Sequence, residues 1–513
     1  MIAGHHLAIF ERIGIDVPQE DGLPIIPLHP ELLIEIAVVD FTAPADAYRV
    51  AAHKIFEGRW IERLSKVTGV LPLKCCVQFR VASILPIHFR YQEGFMDNIV
   101  FSKVFALLIF AGAFTLPELG MGQAGSLDPT FGNNGIATTA NTVANAAALQ
   151  SDGKIVVAGS VANPQNFQQG GLLRYTSSGV LDSGFGTGGK VLMAVGSTDA
   201  GAAFAVAIQT DGKIVTAAPD GIQLTVFRFN TNGTVDNTFG TNGNVAITAA
   251  GLFLSPASGG IALQSDGKIV IATRDIVARL LTNGQLDSTF GSSGVAPTAT
   301  VGGVGGESVA ILSNGQILIG SGNVTSLYST SGSLVTRFGV NGQTAGFPFD
   351  GIGGFVVTTD TTNRTKIVTA GTLVTAPNLT FAQTASGFLI VRYNSDGTID
   401  NSFGSHGGAA TPFPGNLFSQ AFAVAAQTNG DIVAVGQTAL TDVNVAPGPS
   451  SFGLARYLRN GQIDTTFGNS GFVSTAFASS EAFANTVLIQ TDGKIIAAGN
   501  SNSGTTLARY LGN

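Results

Sequence analysis

The sequence predicts an all-β protein, a seven-bladed β-propeller with four antiparallel strands in each blade. One sequence unit, about 48 to 65 residues long, recurs seven times. Each copy holds short strand-like stretches separated by glycine turns. The 67 glycines and the low charged fraction of 12% also suit short strands and many turns. Since such units cannot bury their apolar faces alone, we expect them to close into a ring.

Three short motifs mark the copies of the unit. One reads Asp-Gly-Lys, preceded by Ser or Thr, as at 151–154 and 210–213. Another is an Arg-aromatic pair, as at Arg392 and Tyr393. The third ends in a Phe-Gly pair whose phenylalanines are 54, 54, 51, 48, 65 and 64 residues apart: Phe131, Phe185, Phe239, Phe290, Phe338, Phe403 and Phe467. We expect these phenylalanines to pack between neighbouring blades.

Short apolar stretches predict four strands within one unit. In the second unit these stretches are 190–195, 203–209, 213–218 and 223–229. Asp-Gly before Lys supplies the positive-φ glycine of a tight hairpin between the second and third of them. Four such strands are typical of a propeller blade. The alternative is a β-solenoid, and the hairpin inside each unit argues against it.

Arginine and aspartate recur eight residues apart, which predicts an ion pair in each unit. The pairs are Arg174 with Asp182, Arg228 with Asp236, Arg279 with Asp287, Arg392 with Asp400, and Arg456 with Asp464. The unit with Leu327 in place of Arg also has Val335 in place of Asp. Such joint loss is expected because a buried charge without its partner is costly. Alternatively, each residue caps a local turn independently.

The ends of the chain carry one unmatched residue each. No Asp follows Arg509, and no Arg precedes Asp128. We predict that these two pair with each other, so that the first and last repeats close the ring.

The first 124 residues differ from the repeats. Residues 1–95 hold the only Trp, both adjacent cysteines (Cys75 and Cys76) and five of the six histidines. Residues 96–124 resemble a secretory signal peptide: Lys103 precedes a 13-residue apolar run over 104–116, and small residues precede a cleavage site after Ala124. We therefore interpret 1–95 as a non-native upstream extension, 96–124 as the signal and 125–513 as the propeller. The alternative for 1–95 is a genuine N-terminal domain.

The composition of the repeats excludes several functions. Residues 125–513 carry 16 basic and 20 acidic side chains without a basic stripe, which argues against nucleic-acid binding. His406 is the single histidine there and lies in a turn position, and no cysteine is present. We therefore predict no catalytic residue, no cofactor and no metal site.

Carboxylates leave one enzymatic alternative open. Most aspartates occupy motif positions, whereas Glu307, Asp350 and Glu481 are scattered. A glycoside hydrolase or lyase would need two of them together in the central funnel. Residues 394–400 resemble a calcium loop, but the equivalent segments hold too few carboxylates, so a plain hairpin turn is favoured.

The motifs LDxTFG, DGKIVVAG and RYxxDG resemble those of the delta-60 repeat family. This resemblance covers 127–513 and implies an exported bacterial β-propeller of unassigned function. The unit reading LVTRFG, 334–339, departs most from the pattern. The resemblance carries no catalytic residue over to this chain.

The lengths of the connections between strands predict where the protein binds a partner. The connections between the third and fourth predicted strands are long at 160–170, 371–386 and 436–450, and they share one face of the ring. We expect a secreted or cell-envelope scaffold, monomeric and without a membrane span after cleavage, that binds an unknown protein or glycan there. A carbohydrate-active enzyme and a purely structural envelope component are the alternatives.

Overall fold

The computed structural model describes residues 123–195, 198–199, 201–220, 223–248, 259–299, 308–344, 349–373, 387–415, 418–440, 449–477 and 481–512. Every helix or strand assigned in these segments is a β-strand. The chain divides into two compact units, 1–107 and 108–513, and the described residues belong to the second. The predicted extension over 1–95 lies outside the described residues, as does the signal segment as far as residue 122. Both remain predictions.

The strands form seven consecutive sheets, which we number blades 1 to 7. Blade 1 contains β2 (Thr142–Leu149), β3 (Ile155–Ala162), β4 (Gln168–Tyr175) and β5 (Lys190–Leu192). Blade 2 contains β8 (Ala205–Ile208), β9 (Ile214–Asp220), β10 (Gln223–Phe229) and β11 (Asn244–Ile247). Blade 3 contains β12 (Gly259–Leu263), β13 (Ile269–Thr273), β14 (Ile276–Leu280) and β15 (Val295–Pro297). Between blades 1 and 2, β6 (Ala194–Val195) and β7 (Thr198–Asp199) form a small ribbon.

The remaining blades follow the same order. Blade 4 contains β16 (Ser308–Ile311), β17 (Ile317–Ser321) and β18 (Val324–Tyr328). Blade 5 contains β19 (Phe349–Thr359), β20 (Thr365–Leu373), β21 (Phe388–Asn394) and β22 (Gly408–Thr411). Blade 6 contains β23 (Phe418–Ala426), β24 (Ile432–Ala439), β25 (Ser450–Tyr457) and β26 (Phe472–Ala476). Blade 7 contains β27 (Ala482–Ile489), β28 (Ile495–Ser501), β29 (Gly504–Tyr510) and β1 (Ile136–Thr139).

The seven-bladed antiparallel architecture predicted from the repeats is confirmed. In blade 4 the described residues form three strands, and Gln343 makes a single bridge to Ser326 where the fourth strand would lie. The boundaries of the predicted unit were wrong by one strand. Its first strand, β5, is the outermost strand of blade 1, whereas its other strands belong to blade 2. A motif-based unit therefore joins the outer strand of one blade to the three inner strands of the next.

Blade 7 closes the ring because it takes strands from both ends of the propeller. β1 pairs antiparallel with β29, with Ile136 opposite Ala508 and Thr139 opposite Thr505. The seven innermost strands, β2, β8, β12, β16, β19, β23 and β27, each lie against the next, and β27 lies against β2. They surround a central axis, as in other propellers. The predicted closure between the N- and C-terminal repeats is thus confirmed.

The hydrophobic core lies between the blades. Each of the seven clusters of buried apolar side chains combines residues of two neighbouring blades. Each cluster includes one phenylalanine of a Phe-Gly pair, so the predicted packing role of these residues is confirmed. Burial of apolar surface therefore depends on the neighbours, and it drives the units into a closed ring.

A turn glycine from the following repeat fits against each Phe-Gly pair. Gly233 has a φ of 84°, and a Cβ atom there would lie only 2.9 Å from the Phe185 ring. Its neighbour Asn232 accepts a hydrogen bond of 2.9 Å from the backbone N–H of Gly186. Only glycine fits this close approach at a positive φ, which explains the recurring Asn-Gly turns.

The two ends of the strands define two faces of the ring. We call one the turn face, because it carries the turn after each innermost strand, such as 150–154. We call the other the loop face, because it carries the loop between the second and third strands of each blade, such as 163–167. The Asp-Gly-Lys motifs lie on the turn face, opposite the long loops, as predicted.

Candidate functional site

Six blades carry the same charged cluster near the turn face, and blade 2 illustrates its geometry. The Arg228 Nε donates to Asp236 Oδ2 at 2.7 Å, and its guanidinium lies 4.6 Å from the centroid of the Phe239 ring. The same guanidinium donates through Nη1 to the backbone carbonyl of Thr282, in a turn of blade 3, at 2.5 Å. Asp236 accepts two further bonds through Oδ1 from the backbone N–H and hydroxyl of Thr238, at 3.1 and 2.6 Å. The cluster therefore joins two blades.

The ion pair predicted from the eight-residue spacing is confirmed wherever both partners occur. The Nε–Oδ2 distances are 2.7 to 2.9 Å in Arg174–Asp182, Arg228–Asp236, Arg279–Asp287, Arg392–Asp400 and Arg456–Asp464. The aspartates also cap their own turns through the second carboxylate oxygen. The ion pair and the turn cap, which the sequence offered as alternatives, therefore occur together: Oδ2 of each aspartate binds the arginine, and Oδ1 caps the turn.

The pair predicted across the ring closure is also confirmed. Arg509 Nε donates to Asp128 Oδ2 at 2.9 Å, and both side chains are buried. The Arg509 guanidinium lies 4.7 Å from the centroid of the Phe131 ring, and its Nη1 donates to the Ser177 carbonyl of blade 1 at 2.6 Å. The closing contact has the same geometry as the contacts inside the ring.

A lysine completes the cluster in four blades, a contact that sequence reasoning missed. The lysine that follows the turn after the innermost strand lies 2.8 to 3.5 Å from the cluster aspartate in Lys154–Asp182, Lys213–Asp236, Lys366–Asp400 and Lys494–Asp128. In blade 3, Lys268 forms an ion pair with Asp266 of its own turn. The recurrence of this lysine was visible in the sequence, but the hairpin alone explained the motif.

Together these contacts keep the cluster aspartates ionised. Burial opposes ionisation of Asp400, but hydrogen bonds from Lys366 and Ser402 and the Arg392 charge outweigh it and lower its pKa to about 2. Burial likewise works against ionisation of Asp287, and hydrogen bonds from Thr289 together with the Arg279 charge lower the pKa of that carboxyl. A general acid needs a raised pKa, so these carboxyls suit a structural role.

Blade 4 replaces this cluster with apolar contacts. Leu327 is buried and belongs to the same core cluster as Phe338, and Val335 packs against it. The backbone N–H of Val335 still donates to the Leu327 carbonyl at 2.8 Å, as the Asp N–H does to the Arg carbonyl in other blades. The backbone arrangement is therefore kept while both charges are absent.

His406 occupies an exposed turn, as the sequence predicted. It has a φ of 54°, and the equivalent positions hold Asn134, Asn242, Ser293, Asn341 and Ser470 with φ of 51° to 54°. The calcium-like segment is also a hairpin turn, since Asp396 accepts bonds from the backbone N–H and hydroxyl of Thr398 at 3.0 and 2.7 Å. Among the described residues, no three His, Cys, Asp or Glu side chains are grouped to hold a metal.

Of the three scattered acidic residues, the structure fully describes one. Glu307 and the side chain of Asp350 lie outside the described residues, although the Asp350 backbone is part of β19. Glu481 is exposed immediately before β27. The predicted funnel pair of carboxylates therefore stays a hypothesis.

Of the three long loops on the loop face, the structure describes the one in blade 1 from end to end. There the hairpin at 163–167 projects Phe167, which is 70% exposed. Of the other two long loops, 374–386 and 441–448 lie outside the described residues. In blade 6, Leu440 is 63% exposed at the equivalent end of β24.

A cleft of about 900 Å³ opens on the turn face beside blades 2, 3 and 4. Its wall includes Ile208, Leu263 and Ile311, the last residues of β8, β12 and β16, so it lies at one mouth of the central channel. Sequence reasoning did not find this cleft. The available signal was in blade 4, where Leu312 and Gln316 replace the Gln and Lys of the turns in blades 1, 2, 3 and 7.

The sequence motifs match a known family model. Residues 150–185, 209–239, 264–290, 366–403 and 427–467 match the family described as "Domain of unknown function (DUF5122) beta-propeller". These five segments are similar to the repeats of that β-propeller family. Each matched segment ends at the phenylalanine of a Phe-Gly pair, and the segments of blades 1 to 3 include the Asp-Gly-Lys turn. The divergent repeat of blade 4 is not among the matched segments. No relative was found among curated proteins.

Several solved structures are similar to this chain at low sequence identity. A virginiamycin B lyase from Staphylococcus aureus is 10% identical over 73% of this chain and 98% of the lyase, with a TM-score of 0.43. A streptogramin B lyase is 12% identical over 72% and 96%, with a TM-score of 0.44. YCF48 bound to a D1 peptide is 10% identical over 78% and 100%, with a TM-score of 0.40. Similarities this low carry no argument about activity.

Proposed function

We propose that the protein is an exported, non-enzymatic propeller scaffold that binds a partner protein with its loop face. The observation that carries the proposal is the exposure of Phe167 on a well-defined hairpin of blade 1. The side chain of Asn163 accepts hydrogen bonds from the backbone N–H groups of Gln165 and Phe167 at 3.0 and 2.9 Å. An aromatic side chain held in this way is a typical anchor of a protein interface.

Leu440 supports the same face. It is 63% exposed at the end of β24 in blade 6, which only blade 7 separates from blade 1. Phe167 and Leu440 are the most exposed large apolar side chains that the structure describes on the loop face. The interlocked clusters on the turn face provide the rigid support that such loops need.

We also propose that the chain is exported through the signal at 96–124, that the mature propeller is monomeric and that its repeats are delta-60 repeats. The described part of the chain contains no helix that could span a membrane. N-terminal sequencing of the exported protein tests the signal: we expect a new N-terminus at Gly125. A mature protein that retains residues before Met96 would contradict the proposal.

Site-specific photocrosslinking tests the binding face. A photoreactive phenylalanine analogue would replace Phe167, Leu440 or, as the control, Val235, which is 46% exposed in the Phe-Gly motif region of the turn face. We expect one protein partner to be crosslinked from positions 167 and 440 in cells that produce the native protein, and none from position 235. Phe167→Ser should weaken binding of the purified partner at least tenfold, whereas Val235→Ser should not.

Other outcomes would overturn the proposal. Crosslinking from position 235 alone would place the interface on the turn face. Retention of a glycan on an array by the wild type, lost in Phe167→Ser, would indicate a glycan receptor instead. Turnover of a polysaccharide by the purified chain would favour the enzymatic alternative.

A further inference from the structure

The cleft at the channel mouth has an apolar floor and a hydroxyl-bearing rim. The floor contains Ile208 and Leu263, which end the innermost strands of blades 2 and 3. The rim contains Thr210, Ser265 and Ser313, each two residues beyond the end of an innermost strand and each exposed. The volume of about 900 Å³ falls in the range of small-molecule sites.

Opposite charges at the cleft are paired. Asp266 and Lys268 form an ion pair within one turn, and Arg279 is held by Asp287 at 2.9 Å. The cleft therefore offers a carboxylate acceptor, an ammonium donor and a guanidinium donor, and the buried Asp287 balances the charge of the guanidinium. Such a surface favours a neutral polar ligand over an ion, because an ionic ligand would have to break an existing pair.

We propose that this cleft binds a neutral saccharide. The C–H face of a sugar ring would lie on the aliphatic floor, and its hydroxyls would exchange hydrogen bonds with Ser265, Ser313 and the Asp266 carboxylate. Hydroxyl groups both donate and accept, so they match a rim made of serine and threonine beside a charged pair. This site lies on the turn face and is separate from the proposed protein-binding loops.

One turn beside the cleft, that of blade 4, differs in sequence from the turns of blades 1, 2 and 7. In blades 1, 2 and 7 the turn lysine lies 3.1 to 3.5 Å from the cluster aspartate. Lys268 has its ion pair with Asp266, a pairing within the turn that the lysines of blades 1, 2 and 7 also form, and blade 4 has Gln316 at the lysine position. Blade 4 also has Leu312 where those three blades have Gln. The cleft thus lies where the repeat pattern changes, although the surrounding scaffold repeats.

Binding of free saccharides to the full-length chain tests the proposal. Maltotetraose, cellotetraose and N-acetylchitotetraose would be titrated by calorimetry and saturation-transfer NMR, with sulfate as the anionic comparison. The internal repeat supplies matched variants. Ser313→Trp fills the cleft, whereas Ser151→Trp makes the same change at the equivalent position of blade 1. Asp266→Asn removes the carboxylate, and Asp152→Asn is its equivalent outside the cleft.

We expect at least one saccharide to bind, with affinity reduced at least tenfold by Ser313→Trp and about fivefold by Asp266→Asn. The two blade 1 variants should bind as the wild type does, and all four should unfold at similar temperatures. Three results would overturn the proposal: no saccharide binds, sulfate binds in preference, or the blade 1 variants lose affinity equally. If Ser313→Trp does not fold, Asp266→Asn against Asp152→Asn decides the question.

Discussion

Blade 4 and the other six blades solve the same packing problem with different chemistry. Six blades bury an arginine against an aspartate and a phenylalanine, with Nε–Oδ2 distances of 2.7 to 2.9 Å. Blade 4 buries Leu327 beside Phe338, with the half-buried Val335 packed against them, and its Phe-Gly pair still bonds to the next turn through Gly339. The comparison teaches that blade 4 replaces the charged pair as a pair, and none of the seven blades lacks only one of the two partners. Buried ion pairs in general behave this way.

The largest loss of stability should come from breaking the Arg–Asp pair in a blade where no lysine contacts the aspartate. Arg279→Leu leaves Asp287, which is 3% exposed, without its guanidinium. We expect the free energy of unfolding to fall by about 3 to 5 kcal/mol. Urea denaturation followed by circular dichroism would measure it.

The double variant Arg279→Leu/Asp287→Val copies blade 4 and serves as the control. It should return to within about 1 kcal/mol of the wild type, because no unpaired charge remains. A double variant as unstable as Arg279→Leu would show that the pair is needed for itself. The lesson drawn from blade 4 would then be wrong.

Replacing the arginine of blade 2 by leucine should lower the free energy of unfolding by a smaller amount. After Arg228→Leu, Asp236 keeps Lys213, whose Nζ lies 3.1 Å away. We expect the loss to be about 1 to 2 kcal/mol smaller than for Arg279→Leu, since one charged partner remains to the buried carboxylate. The same denaturation series measures both. Equal losses in the two blades would mean that the lysine contributes nothing.

The sequence predicted the ring, its closure and the ion pairs because each of these features repeats. Seven copies of one motif allow Arg and Asp to be compared inside one chain, and the unmatched Asp128 and Arg509 then point to each other. The offset of β5 was not predictable, because the motifs show how often a unit recurs but not which strands pair. The lysine contact was hidden since the Asp-Gly hairpin already accounted for the motif.

The cleft was hidden for a different reason. Its floor comes from the ends of three innermost strands, and their convergence depends on the closed ring as a whole. Leu312 and Gln316 signal a change in blade 4, but a change in a repeat has many possible consequences. Only the arrangement of Ile208, Leu263 and Ile311 around the channel mouth shows that this change borders an open space.

Acid should lower the stability of the blades that carry an Arg–Asp pair. A blade with Leu and Val at those two positions should keep its stability. The pKa of Asp400 falls from an ordinary value of 3.8 to about 2 in the folded chain. A carboxyl with a lowered folded pKa stabilises the fold above pH 4, and this contribution is lost as the pH falls towards 2. The shift corresponds to roughly 2 kcal/mol for this one group. Urea denaturation at pH 7, 4 and 2.5 measures the loss.

A blade 5 variant of the blade 4 type is the control for this acid effect. Arg392→Leu, Asp400→Val and Lys366→Gln together give blade 5 the side chains of blade 4 at these three positions. The variant should lose about 2 kcal/mol less than the wild type between pH 7 and pH 2.5. An unchanged pH dependence would show that Asp400 does not titrate with folding.

The smallest effect is expected from the reverse exchange, which gives blade 4 the charged cluster. Leu327→Arg and Val335→Asp supply the pair, and Arg337→Thr supplies the hydroxyl that caps the aspartate in blades 2, 3 and 6. Desolvation of the new charges and their attraction nearly cancel, so stability should change by less than about 1 kcal/mol. Phe338 is already in place for the guanidinium. A crystal structure should show an Arg Nε–Asp Oδ2 bond like the other six, whereas a solvent-exposed guanidinium at position 327 would mean that blade 4 has diverged beyond these three positions.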